Sequence, residues 1–373
     1  MGQFRFVNCV CRLISMRWIF VVAAVALLCP LFVATLAAQA RPASEPKKII
    51  IDTDPGTDDA IALLLAFHSP EVKVEAVTIV AGNVTSDMGL DNALKIASLA
   101  GRCDVPIAGG STRPLLEPLA TGLFWNGPGG VGGAKLPPSQ CHANPAFGPD
   151  LIIETIHKYP HQVTLVPIGP LTNIALAIGK DPSIVPLVKE VILMGGGITG
   201  GNVNAVSEYN VHSDPEAAAM VFNAGWPITM VGLDVTEITL VTDEDVAKLE
   251  QHPGPETQFA ATVLRYQIGT YKGTGIFHGG AIHDALAVGG AIDHTFMTTQ
   301  DMRVDIETQG KFTRGMTVAN RKNVVEKEAV SGDHVESVGV EPVTPNVHVA
   351  TGIDARRFVD FLLSRIGNLI GGD

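Results

Sequence analysis

Short, apolar, β-branched runs alternate with helix-like stretches along this chain, and each run stops at a polar or glycine-rich break. Lys48 to Asp52 runs into Asp52-Thr53-Asp54-Pro55-Gly56-Thr57-Asp58-Asp59, and Asp58 to Phe67 then reads as a helix. That helix is apolar nearly all round, which marks it as buried, and two carboxylates sit in its first turn, where the helix dipole favours them. Val74 to Ala81 is a second strand, ending at Gly82-Asn83, with a helix from Thr85 to Ala100. Gln162 to Ile168 closes at Gly169-Pro170 before a helix from Leu171 to Ile178, and Val188 to Met194 ends in Gly195-Gly196-Gly197. Asp214-Pro215-Glu216 starts a helix with an N-cap and a proline at its first position, and Pro227 to Leu233 is a further strand. Strands separated by helices predict an α/β fold, an open, mostly parallel twisted sheet flanked by helices. In such sheets ligands bind beyond the carboxyl ends of the strands. The breaks after Ile51, at Asn83, at Ile168 and after Met194 therefore gather into one crevice. Asp301 to Val330 alternates with charges and reads as a hairpin appended to the sheet, and Ala355 to Ile366 as a closing helix.

The first break carries four aspartates within eight residues. Like charges this close repel, and a strand end is partly dehydrated, so a cation is needed to hold all four ionised. Oxygen-only ligands select a hard ion, Ca²⁺ or Mg²⁺. An EF-hand loop is excluded, because its sixth and twelfth positions, Gly and Glu, are Thr57 and Leu63 counting from Asp52. A phosphoryl-transfer loop fits Asp52, Asp54 and Thr57 but not Pro55-Gly56 or the paired Asp58-Asp59. A metal-free N-cap cluster accounts for one carboxylate rather than four.

The chain has 373 residues and a formal charge of −12, with no run of Lys or Arg. That argues against a nucleic-acid groove or a polybasic membrane patch. Near the start, Arg5, Arg12 and Arg17 precede an apolar run from Trp18 to about Ala37, then Ala38-Gln39-Ala40. This reads as a secretory leader cut after Ala40, with Met1 or Met16 as the start and 41–47 as a polar spacer. A membrane contact arises only if the leader stays uncleaved. The expected location is secreted or periplasmic. Cys9, Cys11 and Cys29 leave with the leader, and Cys103 and Cys141 remain either as a disulfide or as two thiols.

Asp52-x-Asp54-Pro55-Gly56-x-Asp58-Asp59-Ala60 after a short first strand resembles the signature of the inosine–uridine-preferring nucleoside hydrolase family. Further motifs resemble that family in order: Val80-Ala81-Gly82-Asn83, then Leu165 through Asn173, then Met194-Gly195-Gly196-Gly197. Gly201-Asn202, Glu208-Tyr209-Asn210, Asp214 through Ala218 and His283-Asp284-Ala285 follow. The resemblance covers a single domain over 48–366. It implies an N-ribohydrolase that splits purine or pyrimidine ribonucleosides into ribose and free base, with Ca²⁺ as cofactor and a homodimeric or homotetrameric assembly. An exported nucleoside-binding protein without turnover, or a metal-dependent phosphohydrolase, is the alternative.

By that resemblance the carboxylates of Asp54, Asp59 and Asp284 and the carbonyl of Ile168 hold the metal, with Asp52 in support. Asp58, Asn83, Asn202, Glu208 and Asn210 read the ribose hydroxyls, and Met194 packs beneath the sugar. Asp54 is the expected general base towards a water on the metal. His283, whose ordinary pKa lies near neutrality, is the expected acid for the leaving base. Tyr271, twelve residues upstream of His283, matches a base-contacting position. One departure stands out. The loop Trp125 to Gly132 carries Asn126 where the family often places a His, so base specificity does not carry over.

Overall fold

The computed structural model describes residues 45–252, 254–331 and 333–367. The leader from Trp18 to Ala37, its cut after Ala40, the start at Met1 or Met16, and Cys9, Cys11 and Cys29 lie outside the described residues. So does most of the 41–47 spacer. No helix among the described residues is long and apolar enough to cross a membrane.

The chain begins with strand β1 (Lys47–Thr53), helix α1 (Thr57–Phe67), β2 (Val72–Ile79), α2 (Ser86–Leu99) and the short β3 (Ile107–Gly109). A long connection follows, broken only by the single turn α3 (Leu123–Asn126) and a 3₁₀ turn at Pro128–Gly130. Then come α4 (Gly148–Lys158), β4 (Val163–Pro167), α5 (Thr172–Lys180), β5 (Glu190–Met194), α6 (Tyr209–Ser213), α7 (Pro215–Phe222), β6 (Ile228–Val231) and α8 (Leu233–Thr236). The last third holds β7 (Leu240–Val241), α9 (Asp243–Leu249), α10 (Pro255–Gly273), β8 (Gly280–Ala281) and α11 (Asp284–Ile292). It closes with β9 (Met297–Ile306), β10 (Thr317–Asn320), β11 (Val324–Ser331), β12 (His334–Pro342), β13 (Val347–Ile353) and α12 (Ala355–Ile366).

Among the described residues, nine strands form one sheet in the order β10-β9-β13-β6-β5-β4-β1-β2-β3. Neighbours from β13 to β3 pair in parallel, whereas β9 runs antiparallel to both β13 and β10. The central strand β1 shows why the sheet is covered on both sides. Ile49 and Ile51 enter one core with α1, α2, α10, α11 and α12, while Ile50 enters the other with α4, α5 and α7. Side chains alternate across a strand, so a run apolar at every position demands a helix layer on each face.

The hairpin expected over Asp301 to Val330 is divided. Its first half, β9 and β10, extends the main sheet, and Val324–Ser331 pairs onward with His334–Pro342 in a separate, exposed ribbon. β11 and β12 pair with each other rather than with the β10 edge, and their almost wholly exposed residues offer no apolar face to bury on the sheet. Cys103 and Cys141 are bonded, with Cα atoms 4.9 Å apart, within the range a disulfide needs. The bond ties the segment before β3 to the far end of the long connection.

Two contacts place the site. Lys47 Nζ donates to the carbonyls of Ala291 and Ile292 at 2.9 and 3.1 Å, closing the C-terminal end of α11 onto the start of β1. Its other end, at Asp284, thereby faces the loop that leaves β1.

Candidate active site

β1 ends inside the sheet, and the backbone leaving it turns directly into α1. Asp59, at the third position of α1, bonds back to that turn: Oδ1 accepts from Thr53 Oγ1 (2.5 Å) and the Asp54 N–H (3.2 Å). Its Oδ2 accepts from the Gly56 N–H (2.9 Å) and Asn83 Nδ2 (3.0 Å). Asp52 points inward, and its Oδ1 accepts from Thr78 Oγ1 (2.5 Å) and Asn173 Nδ2 (2.8 Å), while Oδ2 is buried without a partner. Asp54 is fully buried. Its Oδ2 accepts from the Asn83 N–H at 2.5 Å, and its Oδ1 has no partner among the described residues. Gly169 makes room for that carboxylate, since a Cβ there would lie 2.5 Å from Oδ1. Asp58, half-buried, and Asp284, at the start of α11, complete the group: oxygens of Asp58, Asp59 and Asp284 lie within 4.8 Å of one another.

The electrostatics of this group are unfavourable without a cation. Burial pushes the Asp52 carboxyl up to about 7. Burial and then the Asp59 charge push Asp58 to about 7. Asp54 is raised well above the carboxylate range by burial and then by Asp59, and Asp284 by burial and then by Asp58, Asp59 and Asp54. No lysine or arginine lines the cleft above them among the described residues. Oxygen donors, excess negative charge and a bare buried oxygen together fit a hard cation. The set that comes together includes Asp58, which the sequence reading gave to ribose, alongside Asp59 and Asp284.

Above the carboxylates lies a cleft of about 700 Å³. Asp58, Asn83, Ile168, Met194, Asn202, Glu208, Asn210, Tyr271, His283 and Asp284 all line it, so the sequence-predicted site residues converge, with Asp52, Asp54 and Asp59 buried at its base. Asn210 Nδ2 donates to the carbonyls of Ile168 (3.1 Å) and Met194 (3.2 Å), bridging the ends of β4 and β5. Glu208 caps α6. Its Oε1 accepts from the Asn210 N–H (2.8 Å), and Oε2 from Gly196 (2.8 Å) and Val211 (3.1 Å). Burial still raises its pKa. Asn202, on the exposed rim, holds the Tyr209 N–H at 2.9 Å.

The opposite wall is aromatic. Tyr271 on α10 stands 2.7 Å through its hydroxyl from His283 Nε2, and rings of Trp125 and Phe277 lie 5.8 and 5.1 Å from its own. His283 Nδ1 meets Thr236 Oγ1 at 2.8 Å. Burial lowers the His283 pKa to about 4, so the near-neutral titration expected of this histidine does not hold in its buried setting. Burial, with the charges of Asp58, Asp284 and Glu237, raises Tyr271 well above an ordinary phenol.

Four contributors were not legible in the sequence. Thr236 is an ordinary threonine at the end of one helical turn. Gln267 lies one turn before Tyr271 on the same face of α10, a spacing that signals it once Tyr271 is recognised. Its Nε2 donates to the Ala281 carbonyl (2.9 Å), leaving Oε1 buried and without a partner among the described residues. Phe277 and Glu237 sit in connections without pattern. Asn126 is buried in the cleft wall with its amide spent on the protein: Oδ1 accepts from the Thr57 N–H (2.8 Å) and hydroxyl (3.0 Å), and Nδ2 donates to the Gly122 carbonyl (3.0 Å). It fastens the loop to the start of α1.

With this geometry in view, comparisons with known proteins agree on one family. The model described as inosine-uridine preferring nucleoside hydrolase matches residues 49–360. The protein of that description from Crithidia fasciculata is 42% identical over 280 residues, covering 74% of this chain and 89% of its own. The pyrimidine-specific ribonucleoside hydrolase RihA of Photobacterium profundum is 37% identical over 323 residues, covering 86% and 99%. Among solved structures, a purine-preferring ribonucleoside hydrolase from Gardnerella vaginalis superposes with a TM-score of 0.78 at 34% identity, covering 87% of this chain and 99% of its own.

Proposed function

Because this chain belongs to the inosine-uridine preferring nucleoside hydrolase family and is a hydrolase of N-glycosyl bonds, we propose that it is an exported, calcium-dependent nucleoside N-ribohydrolase. The observation that carries the metal part of this reading is the bare, buried Asp54 Oδ1 beside the Asp58–Asp59–Asp284 cluster. Asp54, Asp59, Asp284 and the Ile168 carbonyl would hold the ion, with Asp58 in the same carboxylate cluster and Asp52 in a supporting position. When bound, the cation keeps these carboxylates ionised and makes a water molecule more acidic.

The remaining steps belong to the protein. Asp58, Asn83, Asn202, Glu208 and Asn210 orient the ribose by its hydroxyls, and Met194 packs under the ring. Asp54 takes a proton from the water as its oxygen bonds to the anomeric carbon. The carbon–nitrogen bond breaks through an oxocarbenium-like state, and the base departs towards Tyr271 and His283, which supply the proton it needs. Gln267 Oε1 offers an acceptor to a base N–H.

The test is direct. The mature protein, incubated with inosine, uridine, cytidine and a ribonucleotide with and without EDTA, should release free base from a nucleoside, and EDTA should stop it. Phosphate release alone rejects the reading. Tight nucleoside binding without turnover favours a binding protein. Adding back Ca²⁺ or Mg²⁺ separately identifies the ion, and the panel identifies the base class. Asp54→Ala should reduce kcat by at least 10²- to 10⁴-fold, the range a general base contributes.

Export rests on the leader and is supported by the Cys103–Cys141 bond, which belongs to oxidising compartments. N-terminal sequencing of secreted or periplasmic protein should read Arg41-Pro42-Ala43. Light scattering should return a dimer or tetramer.

A further inference from the structure

Thr236 is fully buried, at the end of α8, and its hydroxyl has a single hydrogen-bond partner among the described residues, His283 Nδ1 at 2.8 Å. The other ring nitrogen, Nε2, meets only the Tyr271 hydroxyl, at 2.7 Å, among the described residues. A neutral imidazole carries one N–H and one lone pair, so the three groups can be arranged in two ways. In the first, Nδ1–H donates to Thr236, and Tyr271 donates to Nε2. The threonine proton is then buried with no acceptor, and the tyrosine proton is spent on the histidine. In the second, Thr236 donates to Nδ1, Nε2–H donates to the Tyr271 oxygen, and the tyrosine O–H is free to point into the cleft. Buried donors without acceptors are costly, whereas an oxygen with a spare lone pair is not. The second arrangement leaves no protein donor stranded once a base nitrogen occupies the cleft.

We infer that Thr236 is a positioning residue that holds His283 as its Nε2–H tautomer and so aims the Tyr271 hydroxyl proton at the leaving base. The inference rests on the nucleosidase reading above. As the glycosidic bond breaks, its electron pair goes to the base nitrogen, which takes the Tyr271 proton. The phenolate left behind is held by His283 Nε2–H and regains a proton from solvent, while Asp54 returns to solvent the one it took from water.

The experiment compares Thr236→Val, Thr236→Ser and Tyr271→Phe on a nucleoside and on 4-nitrophenyl β-D-riboside, whose leaving group departs without a proton. Thr236→Val should lower kcat on the nucleoside about 10²-fold, the lower range of general acid–base catalysis, with KM little changed. It should keep most activity on the nitrophenyl riboside. Thr236→Ser should restore nucleoside turnover, and Tyr271→Phe should reproduce the Val pattern. The double variant should be no slower than Tyr271→Phe alone, because both changes break one relay. Equal loss of both substrates in a variant that melts like the wild type means a structural role and overturns the inference. So does a Val variant as active as wild type on the nucleoside. A wild-type protein inactive on both substrates rejects the nucleosidase reading itself.

Discussion

Aspartates at one sheet end are not equivalent, and their hydrogen bonds say which needs help. Asp59 has donors on both oxygens, so the turn itself accommodates its charge. Asp54 and Asp52 each keep one buried oxygen bare. A carboxyl whose pKa is raised on folding adds stability while protonated, and loses it as pH climbs through the folded value. Asp52 and Asp58 rise from an ordinary 3.8 to about 7, so in metal-free protein this cluster's contribution to stability should be fully present below pH 3.8 and decline from there. The protein should lose that contribution through about pH 7. A cation offsets the repulsion only when the carboxylates are ionised. The Tm gain from Ca²⁺ over EDTA, measured by calorimetry, should therefore be larger at pH 8 than at pH 5. An equal gain at both would place the ion elsewhere. The aspartates were readable because four within eight residues have no ordinary explanation. The role of His283 was only half readable: its partnership with Asp284 is a sequence fact, but its depressed pKa comes from burial that no local pattern announces.

Elements were legible where their apolar pattern is regular and a breaker ends it. β1, β2, β4 and β5 are apolar runs that stop at glycine or aspartate, and α12 announced itself from Ala355 to Ile366. β3 has three residues and β8 two, too short to carry a period, and β13 is placed only by tertiary pairing. The connection from Gly110 to Phe147 has almost no regular structure, yet it brings Trp125 and Asn126 to the cleft. Its conformation is set by contacts to other elements, including Gly129 O with Asn92 Nδ2 (2.9 Å) and Ser139 Oγ with Leu94 O (2.9 Å). Gly127 is the tightest point. Its φ is +68°, and a Cβ would sit 2.3 Å from the ring of Tyr266 on α10, the helix that also carries Gln267 and Tyr271. Gly127→Ala should therefore cost about 1–3 kcal/mol for the backbone alone, because φ +68° with ψ −167° is a conformation essentially confined to glycine. Displacing α10 should add to that and raise KM for the nucleoside more than it lowers kcat. Unchanged KM with lowered Tm would separate the loop from substrate binding.

At the scale of the whole molecule, the disulfide joins stability to compartment. It spans 38 residues of sequence, and that loop contains the entire cleft-lining connection up to Cys141. In the chain-entropy view a closed loop of this length restricts the unfolded state by about 4 kcal/mol. At roughly 2–4 °C per kcal/mol for a large domain, losing it should lower Tm by about 8 °C or more. The folded loop stays fastened without the bond, because the Gln140 N–H reaches Ser98 Oγ (3.0 Å) and the Asn144 N–H reaches the Ile107 carbonyl (2.7 Å). The cleft should therefore survive reduction, and the loss should appear in stability rather than in turnover at low temperature. Leaderless protein made in a reducing cytoplasm should titrate with two thiols, melt lower, and recover its Tm on oxidation. Protein exported behind its own leader should titrate with none. An exported protein carrying two free thiols, or a reduced form as stable as the oxidised one, would detach the disulfide from the export reading and leave the leader as its sole support.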